Sequence, residues 1–296
     1  MIRKDFGQLV AALRQDLNWT QFQLAEYAEL DEAVISQIER GAKKYFEPEL
    51  LFHLANALQL TTLERREFIL AACGMSEKQA VRQPSALTAT DVFDAGKILE
   101  KMIRLTGDVR LPAFLCDVYG DVIAANKSIL TFYKISASML ENADSLPGGY
   151  NTTRLNFGRD LMGRRHVADN WDNYALNSMR AFREHSLRYR AEPYFKYLMK
   201  AFRNPVEYPF FERFWRLVSS IEQDKEMDLD YFSYRHNEFG DLKYISSATV
   251  SVTSFGELFL FQQLPLDEHT DRVFAQLKEA GVGAIRFAPW PEKRMT

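Results

Sequence analysis

The stretch Trp19-Thr-Gln-Phe-Gln-Leu-Ala25, followed shortly by Asp31-Glu-Ala-Val-Ile-Ser-Gln-Ile-Glu-Arg-Gly41, decides how the first part of this chain folds. Thr20 and Gln23 stand at capping-box spacing, so the threonine hydroxyl accepts from the Gln23 amide while the glutamine side chain reaches back. Leu24, Ala25 and Ala28 then face inward at helical spacing. Leu30-Asp31 breaks this helix, and Asp31 is a good N-cap for the next, which carries Val34, Ile35 and Ile38. Gly41 is the residue type that stops a helix. Working outward, Leu9, Leu13 and Leu17 mark a helix from Phe6 to Asn18. Downstream, Pro48 suits the first turn of a fourth helix with Leu51, Leu54, Ala55 and Leu58 inward, and Thr62 to Ala72 reads as a fifth.

Two short helices joined by a tight turn, the second polar on its outer face, are the plan of a helix-turn-helix, whose second helix lies in the major groove. Residues 6–60, through Val34-Ile-Ser-Gln-Ile-Glu-Arg-Gly41 and Leu54-Ala-Asn-Ala-Leu58, resemble the XRE-type helix-turn-helix of phage repressors. The resemblance implies double-stranded DNA as a partner. It places Gln21 on a phosphate, puts Glu32, Ala33 and Gln37 on the groove-facing side, and pairs Arg14 with Glu39. Thr20, Arg40, Lys43 and Lys44 complete the expected DNA-binding set. Glu29 stands where that family often has glycine. Residues 1–75 hold eight basic and eleven acidic side chains, a poor balance for DNA, although a glutamate can accept from cytosine N4. Thr20 and Gln23 also have a purely capping role open to them.

Residues 76–90 are polar, contain Pro84 and lack a period, which reads as a linker. Beyond it, a helix carries Ala95, Leu99, Met102 and Ile103 on one face. Two short apolar runs, Pro112 to Asp117 and Val122 to Asn126, read as a hairpin. Helices are expected over Trp171 to about Tyr189, from Pro193 and from Pro209. Asp230 to His236, Lys243 to Val252 and Glu257 to Pro265 then read as three antiparallel strands, and Asp267 to Ala280 as a closing helix. The expected class is α+β: an all-α domain at 1–75, a linker at 76–90, a domain at 91–280 with an antiparallel sheet of about five strands, and a tail at 281–296.

The chain has 296 residues with 37 Lys plus Arg against 40 Asp plus Glu, which excludes a polybasic nucleic-acid coat. No apolar run approaches the length of a membrane span, and the two cysteines lack metal-ligand spacing, so a reduced, cytoplasmic setting without membrane contact is expected. Gly-x-Ser-x-Gly, phosphate-loop and His-Glu-x-x-His patterns are absent, and the five histidines are scattered singly. No enzyme, no metal and no cofactor are expected.

Residues 189–261 hold 18 aromatics in 73 positions. Aromatics fill cores and line apolar pockets alike, so composition does not separate the two. Met179, Phe182, Phe195, Leu198, Phe211, Phe214 and Trp215, repeating at three and four residues, are the candidate walls of an apolar cavity, together with Tyr231. Arg183 is the candidate head-group partner within the basic stretch Arg180, Arg183, Arg188 and Arg190. Leu111-Pro-Ala-Phe-Leu-Cys-Asp-Val118, Val122-Ile-Ala-Ala-Asn126, Trp171-Asp-Asn-Tyr-Ala175, Phe211-Glu-Arg-Phe-Trp-Arg-Leu217 and Asp228-Leu-Asp-Tyr231 follow in the order found in MmyB-like transcription regulators. Residues 95–265 resemble the ligand-binding domain of that family, with Ala125 where the family often has tryptophan. The resemblance implies a PAS-like α/β domain and a fatty-acid-like ligand. About a dozen buried methylenes at about 0.8 kcal/mol each permit micromolar binding after ordering costs. The expectation is a one-component regulator of transcription acting as a homodimer. The alternatives are a small-molecule-modifying enzyme or an interaction scaffold with an appended helix-turn-helix.

Overall fold

A computed structural model describes residues 3–74, 94–135, 149–159, 167, 171–220, 231–253, 255–279, 281–293 and 295. The linker at 76–90, the Ala280 end of the closing helix and most of Asp228-Leu-Asp-Tyr231 lie outside these residues. The chain divides into two compact units. The first joins Met1–Ser85 with Arg183–Lys196 and Trp215–Lys225; the second comprises Ala86–Phe182, Tyr197–Phe214 and Glu226–Thr296. Two segments expected in the second domain therefore group with the first.

In the first unit, α1 (Arg3–Asp16), α2 (Gln21–Tyr27), α3 (Glu32–Glu39), α4 (Pro48–Ala57) and α5 (Thr62–Ala72) enclose one apolar core. Phe6, Leu9 and Leu13 of α1 meet Leu24, Ile35, Ile38, Leu54 and Phe68 there. The α2 capping box forms as its spacing predicts, with Gln23 N donating to Thr20 Oγ1 at 3.1 Å and Thr20 N to Gln23 Oε1 at 2.8 Å. Thr61 and Glu64 repeat it at α5. Asp31 occupies the N-cap of α3 through its backbone alone, without a side-chain bond. Gly41, at φ 70°, closes α3: its amide donates to Ile38 O at 2.8 Å and that of Ala42 to Gln37 O at 2.8 Å. Gly7 of α1 lies so close to the end of α3 that a Cβ would fall 2.3 Å from Ile38 O. Only glycine allows these two helices to approach that far.

A buried ion cluster holds the outlying segments of this unit. Glu64 of α5 is inaccessible to water. Arg183 grips it with two bonds, Nε to Oε1 at 2.9 Å and Nη2 to Oε2 at 3.0 Å, and Arg190 adds a third contact. Both guanidinium groups lie over the Trp215 ring, 5.0 and 5.1 Å from its centroid. Arg183 also donates to Trp215 O at 2.9 Å and to Ser219. Leu187 joins the apolar core, and Arg188 pairs with Glu67.

The second unit holds α6 (Ala95–Asp108), α7 (Lys127–Phe132), α8 (Thr152–Phe157) and a six-stranded sheet. Also here lie residues up to Phe182 of α9 (Trp171–Ser186), the later part of α10 (Pro193–Phe202), the start of α11 (Phe211–Ser220), and α12 (Glu268–Lys278). The strands are β1 (Ala113–Asp117), β2 (Val122–Asn126), β3 (Tyr231–His236), β4 (Gly240–Thr253), β5 (Gly256–Pro265) and β6 (Ala284–Arg286). Their order is β3-β4-β5-β1-β2-β6, with every neighbour antiparallel. The late meander thus returns to pair β5 with β1, Leu115 opposite Leu260.

The sixth strand corrects the expected count of five and the expected tail. Three residues after Gly283 carry no period-two signal, yet Ala124 pairs with Arg286 and Phe287 N donates to Ile123 O at 2.8 Å. Lys293 then fixes this segment to the β1–β2 turn, contacting Asp117 and lying 2.8 Å from Asp121. Burial pushes the Asp117 carboxyl up to about 6, against the pull of Lys293.

Asn126, at the end of β2, ties three elements together. Its Oδ1 accepts from Ile129 N at 3.0 Å and Ala113 N at 3.1 Å; its Nδ2 donates to Leu111 O at 2.8 Å and Val109 O at 3.3 Å. Replacement by alanine removes all four bonds from a buried site, so Asn126→Ala should cost about 3 kcal/mol in urea unfolding. A loss below about 1 kcal/mol contradicts this role. Glu64 yields a pH prediction. Burial raises its carboxyl, but the charges of Arg190 and Arg183 outweigh it and hold the group at about 2 against an ordinary 4.5. The unfolded chain therefore takes up this proton at higher pH than the folded one. The resulting stability, about 3 kcal/mol, is fully present above about pH 4.5 and lost as pH falls towards 2. Urea midpoints followed by tryptophan fluorescence should fall over that window in the natural chain and vary less in Glu64→Gln.

Candidate DNA-reading helix and ligand-binding domain

The outer face of α3 carries Glu32, Ala33 and Gln37, all exposed, opposite buried Ile35 and Ile38. The expected Arg14–Glu39 pair is present, bidentate at 2.6 and 2.9 Å. Gln21 joins it, its amide donating to Glu39 Oε2 at 2.7 Å. One carboxylate at the end of α3 thus fixes the helix to both α1 and the start of α2, which sets its tilt for any groove. Thr20 is exposed and caps α2. Arg40 is exposed and bends back to Ser36 O at 3.2 Å. Lys43 is half-buried, 3.5 Å from Glu47, and Lys44 is exposed beside it. Glu29 adopts the left-handed conformation, φ 54°, that explains why glycine suits this turn.

The expected ligand residues divide between the units. Arg183, Phe195 and Trp215 belong to the first, where the Phe195 and Trp215 rings lie 6.5 Å apart. Arg183 has found a carboxylate, but it is that of Glu64. Met179, Phe182, Leu198, Phe211 and Phe214 belong to the second unit and are almost wholly buried. There Phe202 packs on Phe182 at 6.1 Å and on Phe211 at 5.4 Å, and Phe157 on Phe214 at 5.9 Å. These side chains pack on one another as a core. Tyr231 opens β3. A cleft of about 240 Å³ lies in the first unit, lined by Lys44, Tyr45, Phe46, Leu51 and residues 71–74; none of the expected ligand residues borders it.

Accessible aromatic surface in the second unit lies elsewhere. Tyr174 and Phe232 are half-buried, their rings 5.0 Å apart, and Phe232 lies 5.5 Å from Tyr244. Tyr133, just beyond α7, keeps 36% of its surface exposed and meets Tyr234 edge-on at 5.6 Å. Its hydroxyl lies 3.4 Å from that of Tyr244. Sequence reasoning missed Tyr133, Tyr174 and Tyr244 as a group. Tyr174 lies in the motif Trp171-Asp-Asn-Tyr-Ala175, but nothing in the spacing links it to residues 133 and 244. Burial pushes the hydroxyls of Tyr133 and Tyr244 well up and those of Tyr174 and Tyr234 up to about 12, so all four keep their protons.

Among the described residues, no helix is long and apolar enough to cross a membrane. No curated protein matches the chain. A family model described as a helix-turn-helix matches residues 10–65, which span α2, α3 and α4. A second, described as the MmyB-like transcription regulator ligand binding domain, matches residues 101–277, more than half of the chain. The chain therefore belongs to the MmyB-like transcription regulators, in which an XRE-type DNA-binding helix-turn-helix is followed by a ligand-binding domain.

Proposed function

We propose that the chain is a cytoplasmic one-component regulator that reads an operator with α3 and senses an apolar small molecule, a fatty acid by chemical class, through its second domain. The exposed face of α3, fixed by the Glu39 contacts within a helix-turn-helix, carries the reading. Gln37 suits a bidentate contact with adenine, Glu32 an acceptor position opposite cytosine N4, and Ala33 a thymine methyl. Thr20, Gln21, Arg40, Lys43 and Lys44 serve the phosphates, with Gln21 and Lys43 leaving Glu39 and Glu47 to do so. One short helix gives little specificity, so two chains bind together with their α3 helices about 34 Å apart, one turn of DNA. The role is binding rather than catalysis. On the ligand side, Met179, Phe182, Leu198, Phe211 and Phe214 form the helical backing of the second unit, with Tyr231 at the start of β3.

Lys44→Ala should weaken binding to all duplexes alike and flatten the salt dependence by about one unit, whereas Gln37→Ala should change which sequence is selected from a random pool. Folded variants that leave affinity, salt slope and preference unchanged overturn the assignment of this face. Native mass spectrometry of freshly purified protein tests the rest. Two chains per particle and an apolar adduct released on unfolding are expected. A monomer without adduct, which also takes up no added fatty acid, contradicts the sensor.

A further inference from the structure

The sheet of the second unit has one long edge that lacks the usual protection. β4 runs for 14 residues, but β3 pairs with it only from Gly240 to Ile245. From Ser246 to Thr253 its only strand neighbour among the described residues is β5. In an antiparallel ladder alternate residues turn both backbone groups to one side, so roughly four of these residues direct N–H and C=O groups outward. The edge is also regular. The β4–β5 register runs from Tyr244 to Thr253 without a shift, whereas that of β1–β2 carries one.

Sheet edges are ordinarily blunted by charge, proline, bulges or short length. The two outer strands follow that rule. β6 has three residues and ends on exposed Arg286, and β3 carries exposed Arg235 and is bridged at Tyr234 by Val167. The stretch Ser246-Ser-Ala-Thr-Val-Ser-Val-Thr253 has no charge, no proline and no glycine. Ala248, Thr249, Val250 and Val252 are exposed, Val250 over 51% of its surface. Neighbouring residues of a strand point to opposite faces, so both faces are accessible here and carry only small side chains. Nothing on this edge keeps another strand away.

We infer that this edge pairs with the same edge of a second copy, the two β4 strands running antiparallel about a two-fold axis perpendicular to the sheet. The inference rests on the two-chain reading and specifies its contact. Such an axis keeps each face on its own side. Centred on Val250, it sets Val250 opposite its own copy and Ala248 opposite Val252 on one face. On the other face Thr249 stands opposite Ser251, and Ser247 opposite Thr253. Aliphatic groups meet aliphatic groups, hydroxyls meet hydroxyls, and no like charges are opposed. Neutrality selects this occupant, because a charged extended peptide finds no counter-charge on the edge. Each chain offers one such edge among its described residues, so pairing closes at two copies. One strand pair is smaller than the about 1,200 Å² of a stable interface, so the contact is reversible and the two half-sites of an operator strengthen it.

The test places charge at the centre of the contact. Val250→Lys opposes two positive charges there and Val250→Glu two negative ones, while Val282→Lys, at a position 72% exposed, is the control. Sedimentation velocity of the full chain over a concentration series, with and without operator duplex, gives the dimer dissociation constant, and thermal unfolding checks that each variant is folded. The constant should rise at least tenfold in either Val250 variant and stay within twofold in Val282→Lys. Mixing the Val250→Lys and Val250→Glu chains should restore it to within threefold. In the natural chain, exchange of the outward amides of residues 246–253 should slow as concentration rises through the same constant. Dimerisation unchanged within twofold in Val250→Lys overturns the β4 contact and leaves the two-chain reading intact, as does a mixture that recovers nothing. Amides already protected in the dilute monomer overturn it too, because the edge is then covered from within the chain. A natural chain that stays monomeric with and without operator ends the two-chain reading and this inference with it.

Discussion

A carboxylate with no access to water stays ionised only if positive charge is brought to it, and Glu64 is such a carboxylate. Arg183 and Arg190 supply that charge, and Trp215 covers both guanidinium groups. Asp16 acts on Arg190 as well, so two acids oppose two bases. This requirement determines which parts of the chain belong together. The fifth helix of the DNA-reading unit cannot bury Glu64 with its neighbours in sequence, and the segments around Arg183 and Trp215 complete it. Removing either partner would leave a buried charge uncompensated, which costs far more than an exposed pair contributes.

Much of the fold was legible because it rests on local rules. Thr20 with Gln23, Gly41 after α3, Pro48 at the start of α4 and the alternation through β3, β4 and β5 each state their element within a few residues. The Arg14–Glu39 pair was legible through resemblance rather than spacing. What escaped was long-range or too short to have a period. Strand β6 has three residues, and only pairing with β2 makes it a strand. Arg183 was read as the partner of a carboxylate, which is chemically right, but the carboxylate lies 119 residues away in the same chain. The same limit hid the tyrosines. Phe211 and Tyr244 look alike as apolar bulk, and only the fold brings the Tyr244 hydroxyl within 3.4 Å of that of Tyr133.

The DNA-reading side works against its own charge. Its helices are acid-rich, and Lys43 is engaged by Glu47. On the proposed reading, phosphate neutralisation contributes modest affinity and specificity comes from groups on α3. That places a premium on rigid placement, which Gly7, Glu39 and the α3 cap provide by holding the helix against α1 and α2. A reader with a weak electrostatic background suits a switch, since a small change in the presentation of α3 then alters occupancy appreciably.

The account depends on ligand and operator acting on one another through one chain. The most direct measurement is a fluorescence-anisotropy titration of the selected operator duplex with delipidated protein and with protein saturated with dodecanoate, at one fixed salt concentration. The account predicts operator affinities differing at least fivefold between the two states, about 1 kcal/mol of coupling, with non-specific affinity unchanged. Identical operator affinities under saturation with bound ligand would contradict it.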